Sequence, residues 1–361
     1  MTTTSERLSE APARDVSRVS QSVFDGSRLR VVLLVDVYEG AQQQFLEAYE
    51  QLCNQVASVP GHVSDQLCQS IENPSQWLIT SEWESAPPFL TWVNSEEHVR
   101  MVEPLHSCVR NTRSLRFHIV RETGRAYGGD APARGRLQSE VRIGDGVIRH
   151  ALTFTVKPGT EDKVARLLAD YAAPEPRVDD STRLLRTSLF MHGNRVVRAI
   201  EVRGDLMAAL RHVARSPEVR AVEEAINPYL EQDRDLDDQE SARLFFTRAA
   251  LPAVHHVMAD DRPEGTRRAL YYPARPGCGM KLAELLAKAD SADADDPASR
   301  VLRSTLFERE DVVVRLVDLA DEGADVDPLP GDGALAAALR DLLAGEAAPM
   351  ELVTDRRSPA V

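Results

Sequence analysis

Three tryptophans, Trp77, Trp83 and Trp92, fall within the first third of the 361-residue chain. Trp77 and Trp83 lie six residues apart in one β-rich run, and an even spacing puts both on the same sheet face. Such a face is most simply a core; its functional reading is a flat aromatic wall for a planar ligand. A second candidate is His212, in "LRHVARSPEVRAVEEAINPYL", where Arg220, Glu223, Glu224, Asn227 and Tyr229 crowd a helical segment. A charge-dense helix is usually a solvated face. Yet an imidazole with an ordinary pKa of about 6.5 is also the simplest general base for a phenol, with Asn227 and Tyr229 as hydrogen-bonding groups. Arg198 recurs later in the chain as Arg315, which suits a ligand contact and a structural ion pair equally well.

Other chemistries leave no trace. There is no Gly-x-Gly-x-x-Gly after a strand, no Gly-x-x-x-x-Gly-Lys-Ser/Thr and no His-Glu-x-x-His. The nine histidines include no pair at helical metal-binding spacing. His255 and His256 are adjacent, and neighbours on a strand point to opposite faces. Cys53, Cys68, Cys108 and Cys278 form no Cys-x-x-Cys pair and read as reduced thiols. The common dinucleotide, phosphate-loop and metal-binding signals are thus absent, and no metal is expected.

The elements that must position these residues come from an ordinary globular composition, 43% apolar and 28% charged. A net charge of −14 argues against nucleic acid or an anionic membrane surface as partner and favours a small molecule or another protein. No apolar run approaches the roughly 18 to 20 residues of a membrane span. Residues 1–27 carry no hydrophobic signal core and read as a disordered leader of a cytoplasmic protein.

The chain repeats itself. "RLLRTSLFMHGNRVVRAIEV" (183–202) returns 117 positions later as "RVLRSTLFEREDVVVRLVDL" (300–319), identical at eight of twenty positions without a gap. Upstream, "HALTFTVKPGTEDKVARLLADY" pairs with "RALYYPARPGCGMKLAELLAKA"; each is a strand, a Pro-Gly turn and an amphipathic helix. The repeated twenty residues read as a hairpin, turning at Gly193-Asn194 and Glu310-Asp311. Helices follow, and a last strand is expected in "SARLFFTRAAL" (241–251) and in "PMELVT" (349–354). The order β-α-β-β-α-β is that of a ferredoxin-like α+β unit, and residues 28–122 fit it too. The expected organisation is a leader (1–27), a first unit (28–122), a linker (123–147), a second unit (148–258) and a shortened third repeat (266–355).

The runs "RHALTFTVKPGTEDKVARLLADY", "TRLLRTSLFMHGNRVVRAIEVRGDL" and "SPEVRAVEEAINPYLEQDRDLDDQESARLFFTRAALPAVHHV" closely resemble the SchA/CurD-like domain of aromatic polyketide and spore-pigment clusters. The first unit resembles an antibiotic biosynthesis monooxygenase domain, through "EWES" after a strand and a helix with an aromatic and then Ser-x-x-His, Trp92 to His98. The resemblance implies tandem modules of the dimeric α/β barrel kind, which often pair through their sheets, so that a homodimer is compatible. It also implies oxidation of a phenolic aromatic polyketide to a hydroxylated or quinone product. Dioxygen would be the co-substrate, with no metal, flavin or haem, although NADPH or flavin is not excluded. Trp83 carries over as a pocket residue, with Phe89, Trp92 and His98 beside it. Quinone-forming members have an asparagine four residues before that tryptophan and a tyrosine six after it, where this chain has Ile79 and Phe89. That departure moves the more polar site toward His212 in the second unit. A polyketide cyclase of the same fold and a non-catalytic partner-binding module are the alternatives.

Overall fold

The computed structural model describes residues 19–122, 144–259, 265–321, 323 and 326–358. Val19–Ser22 forms a short strand, β1, so the expected disordered leader ends earlier than residue 27; residues 1–18 and most of the expected linker, 123–143, lie outside the described residues. The first unit runs β2 (Leu29–Val37), α1 (Gln42–Val56), β3 (His62–Gln69), β4 (Gln76–Trp83), α2 (Ala86–Val93), α3 (Glu96–His106) and β5 (Val109–His118). Its sheet has the order β3-β4-β2-β5. Alternation along β2 buries Leu29, Val31, Val35 and Val37 against the helices, and α1 returns Phe45, Leu52 and Val56 at helical spacing to the same core. Ser95 caps α3 by accepting from the His98 amide at 3.2 Å, with Glu96 and Glu97 in the first turn.

The second unit comprises β6 (Val147–Thr155), α4 (Glu161–Ala169), β7 (Arg183–His192), β8 (Arg195–Arg203), α5 (Leu206–Arg215), α6 (Pro217–Ile226), α7 (Gln239–Ala249) and β9 (Ala250–Met258). The third comprises β10 (Thr266–Pro273), α8 (Gly279–Asp295), β11 (Val301–Arg309), β12 (Val312–Leu319), α9 (Gly333–Leu342) and β13 (Ala348–Arg357). One expectation is corrected here. "SARLFFTRA" is the helix α7 and not the closing strand: Asp238 caps it by accepting from the Glu240 amide at 3.0 Å, and Phe245 and Ala249, four apart, are its buried face. The strand comes after it.

The repeated hairpins are β7–β8 and β11–β12. Gly193 makes the first turn at φ 53°, and Glu310 adopts the same left-handed backbone at φ 54°, a conformation that favours glycine.

The duplicated units complete each other. β9 pairs with its own β6 as far as Pro252 and then with β11 of the third unit. β13 pairs with its own β10 at Ala348–Met350 and then with β7 of the second unit. The ring β6-β8-β7-β13-β10-β12-β11-β9 closes back on β6, while β1 lies along the outer stretch of β9. Phe190, Val197, Phe307, Val314 and Leu316 fill the middle of this barrel.

One end of the barrel interior is charged. Arg186 reaches Asp318 at 3.1 Å and Asp355 at 2.6 Å, both in the third unit. Arg267 of the third unit donates to Asp318 (2.8 Å), to Glu201 (2.6 Å) and to Ser188 (3.1 Å) of the second and third units' facing strands. Burial works against the Asp318 carboxylate, but Arg267 and then Arg186 outweigh it and hold its pKa down to about 2.

Removing one member of this network leaves an uncompensated buried charge, so Asp318→Asn is expected to cost about 3–5 kcal/mol at pH 7, read as a fall in melting temperature. Because the folded-state pKa is depressed, this stabilisation is present above the unfolded value near 3.8 and is lost as pH falls through 2. The gap between variant and parent should therefore shrink over that window.

Candidate functional site

The aromatic residues of the first unit gather between its sheet and α2–α3. Trp83, wholly buried at the end of β4, donates its indole N–H to Ser81 Oγ at 3.0 Å. The Trp92 ring stacks on it at 5.5 Å and 28°, Phe89 meets it edge-on at 5.4 Å, and His62 closes another side at 5.2 Å. The Pro87-Pro88 start of α2 after the extended Ser85 turns Phe89 and Trp92, three apart on one helical face, onto β4.

His98, in the first turn of α3, stands edge-on to Trp92 at 4.3 Å. Its Nδ1, the Trp92 Nε1 and the Asn94 amide nitrogen are buried and have no hydrogen-bond partner among the described residues. Burial, then the charges of Arg116 and Arg309, pushes His98 down to about 4, so it is neutral at pH 7. Arg116, on β5, lies over the Phe89 ring at 5.3 Å. The site is thus an aromatic wall whose polar edge carries a neutral imidazole and a fixed cation. A deprotonated phenol against such an edge is stabilised by N–H donors and positive charge, with the aromatic faces excluding water.

Trp77 shares the sheet face of Trp83, as its spacing predicts, but packs on Phe45 of α1 at 5.3 Å and belongs to the core. The expected second-unit constellation is not assembled. His212 on α5 donates from Nε2 to the Glu175 carbonyl at 2.9 Å. The Asn227 amide is engaged on both sides by Arg234, at 3.0 Å each. The Tyr229 ring is covered by the Lys163 ammonium at 4.6 Å. Arg198 forms a buried ion pair with Glu223 at 2.7 Å, and Arg234 meets the same carboxylate at 2.7 Å. Burial would raise Glu223, but these two arginines hold it below the usual carboxylate range. Arg315 pairs with Asp290 at 2.6 Å in the third unit, so the recurring arginine is a structural ion pair in both copies. Among the described residues, no three His, Cys, Asp or Glu side chains gather as metal ligands, and no helix is long and apolar enough to cross a membrane.

Sequence reasoning missed Arg116, His150 and Glu308. Glu308 is buried on β11 with Oε2 unpartnered, and burial followed by Asp311 pushes its pKa up to about 8. A charged residue in an alternating strand carries no signal that tells an inlet from open solvent.

Similar proteins match nearly the whole length of the chain. It is 62% identical over 340 residues to the 42.8 kDa protein in the whiE locus of Streptomyces coelicolor, covering 92% of this chain and 84% of the relative. It is 60% identical to polyketide synthase CurD of Streptomyces cyaneus, covering 94% and 97%, and 61% identical to protein SchA of Streptomyces halstedii, covering 87% and 83%. The chain belongs to the SchA/CurD family. Residues 147–259 match its SchA/CurD like domain, and residues 28–104 match antibiotic biosynthesis monooxygenase. In this SchA/CurD protein the aromatic site therefore lies in the monooxygenase-type unit, while the SchA/CurD like domain supplies half of the barrel.

His98 binds fewer protons in the folded chain than in the unfolded one between about 4 and 6.5, so stability falls as pH drops through that window. His98→Gln should flatten this part of the melting-temperature profile and leave it unchanged at pH 8; an unaltered slope would mean that His98 is solvated.

Proposed function

We propose that the protein oxidises a phenolic ring of a polycyclic aromatic polyketide with dioxygen, without a metal, flavin or haem. The observation that carries this reading is the Trp83–Trp92 stack with His98 and Arg116 at its edge. The relative named polyketide synthase CurD and the monooxygenase-type match of the first unit support it. An electron-rich aromatic anion passes one electron to dioxygen, and the resulting radical pair combines to form a carbon–oxygen bond. The hydroperoxide so formed loses water and leaves one oxygen as a carbonyl, so an anthrone and dioxygen give a quinone and water. The protein's part is to accept the ring proton, hold the anion and keep the pocket dry. His98 is placed to take the proton, its imidazolium being favoured once an anion sits beside it. Phe89, Trp92 and Trp83 hold the rings.

We also read the first unit as the contact between two copies of the chain. The second and third units cover each other's inner sheet faces, whereas the same face of the first carries Leu34 and Phe117 at 44% and 51% exposed, between the unpaired outer edges of β3 and β5. Light scattering is expected to show a dimer that Leu34→Asp converts to a monomer; a parent monomer would remove this reading.

The test of activity is oxygen uptake by the chelator-treated protein with an anthrone and no reductant. Uptake coupled to quinone formation is expected, falling about 100-fold or more in His98→Gln and unchanged in His212→Ala, whose imidazole faces a surface loop. Uptake that needs NADPH or a flavin would overturn the cofactor-free reading, and none under any condition would favour a cyclase.

A further inference from the structure

Arg116 is the least expected residue of the first unit. It is exposed to solvent, yet protein crowds it enough that desolvation lowers its own pKa. Open surface and desolvation coexist when a side chain lines an inlet rather than a convex surface. Its strand register pairs it with Val31, which places it on the helix-facing side of the sheet with the aromatic wall. Its one contact is the Phe89 face at 5.3 Å; among the described residues no carboxylate pairs with it. Two other arginines at this boundary have partners. Arg248 grips Glu96 at 2.8 Å, and Arg309 holds the Asn94 carbonyl at 2.9 Å and that of Ala250 at 3.3 Å.

That Arg309 clamp fixes what stands opposite. Asn94 ends α2, beside Trp92 and just before His98, while Ala250 and Pro252 of β9 pair with Leu152 and His150 of β6. The β6–β9 edge that carries the second unit's His150 therefore lies on the side of the barrel that meets the end of α2. Burial and then the Arg116 charge push it down to about 4, as they do His98, so both imidazoles are neutral and both lie within the field of one guanidinium. The positive charge of the inlet comes from Arg116, with Arg309 behind it, and no described acid balances Arg116.

We propose that Arg116 is the anion anchor of a pocket shared by the first two units, in which Phe89 and Trp92 take the rings of a polycyclic phenol and His98 and His150 flank its phenolate oxygen. The phenolic class of ligand rests on the oxygenase reading; the anchor rests on the geometry. A guanidinium beside the phenol favours its ionised form, and the anion in turn relieves the charge that keeps both imidazoles neutral. Ionisation is thereby coupled to binding before any oxygen chemistry begins.

Alizarin, a dihydroxyanthraquinone already at the quinone level, tests this without turnover through its colour change on ionisation. Bound to the parent protein, its titration midpoint should fall by about one unit or more. Arg116→Met should bind the dye and lose most of that fall, and Arg116→Lys, which keeps the charge, should retain it. If Arg116→Met binds no dye, retention in Arg116→Lys still upholds the anchor and its loss overturns it. An equal midpoint in Arg116→Met, or no dye binding by the parent, overturns the proposal. His150→Phe, which fills the second unit's side, should weaken dye binding at least tenfold; unchanged affinity would overturn the shared pocket. A lowered midpoint with no oxygen uptake from an anthrone would keep the anchor and remove the oxygenase reading.

Discussion

The buried charge network inside the barrel is the constraint on which the rest depends. Arg186 and Arg267 sit 5% exposed beside Asp318 at 4%, where an unpaired charge would cost several kcal/mol. The third unit pairs Arg267 with its own Asp318, but the remaining contacts of Arg186 and Arg267 cross between the units. Arg186 of the second unit has its carboxylates, Asp318 and Asp355, in the third, while Arg267 of the third needs Glu201 and Ser188 of the second. An apolar interface could slide by two residues at little cost. This one is pinned in register, because a shift would separate Arg186 from Asp318 and Asp355 and Arg267 from Glu201. The crossing of β9 and β13 into the opposite unit follows, and with it the closed barrel.

Closure decides what remains for the first unit. The barrel's inner sheet faces are filled by its own side chains, and its outer helical layer is held by a second set of buried pairs, Arg198–Glu223 and Arg315–Asp290. The first unit instead docks against the outside through Glu96–Arg248 and the Arg309 clamp. Those contacts leave an edge where aromatic rings, imidazoles and an unpaired guanidinium converge. Polar groups without partners are costly in a core, and Trp92, Asn94 and His98 each bring one to that seam.

The strand and helix pattern was legible because it is periodic and written more than once. The Pro-Gly turns, the hairpins and the even spacing of Trp77 and Trp83 all appear where the sequence puts them. α7 was misread because "ARLFFT" mixes aromatics in a short run that suits either element, and only the Asp238 cap and the four-residue repeat of Phe245 and Ala249 decide for helix. The site was half legible. Aromatic residues announce a wall, and Phe89, Trp83, Trp92 and His98 do meet. His212, Asn227 and Tyr229 drew attention by residue type, but chemistry at a distance depends on partners, and Glu175, Arg234 and Lys163 engage all three. Arg116 and His150 come together only through the docking of two units, which no local pattern encodes.

The repeated twenty residues can now be understood through what they carry. Facing inward, the hairpins supply Arg186 and Glu201 in one copy and Arg303 and Asp318 in the other; facing outward, they supply Arg198 and Arg315, the arginines of the helical ion pairs. Nearly every identical or chemically similar position thus serves either the barrel's closure or the attachment of its helices. A change in one copy would strand a charge in the other, so the two hairpins constrain each other across the interface. The first unit is under no such obligation. Its equivalent hairpin, β3–β4, carries Glu82 on the face that the barrel units fill with charge but satisfies it within the unit, through Arg30 and Arg28, and its opposite face carries Trp83. With its charges satisfied internally, the opposite face of this unit is given over to the aromatic cluster of Trp83, Phe89 and Trp92.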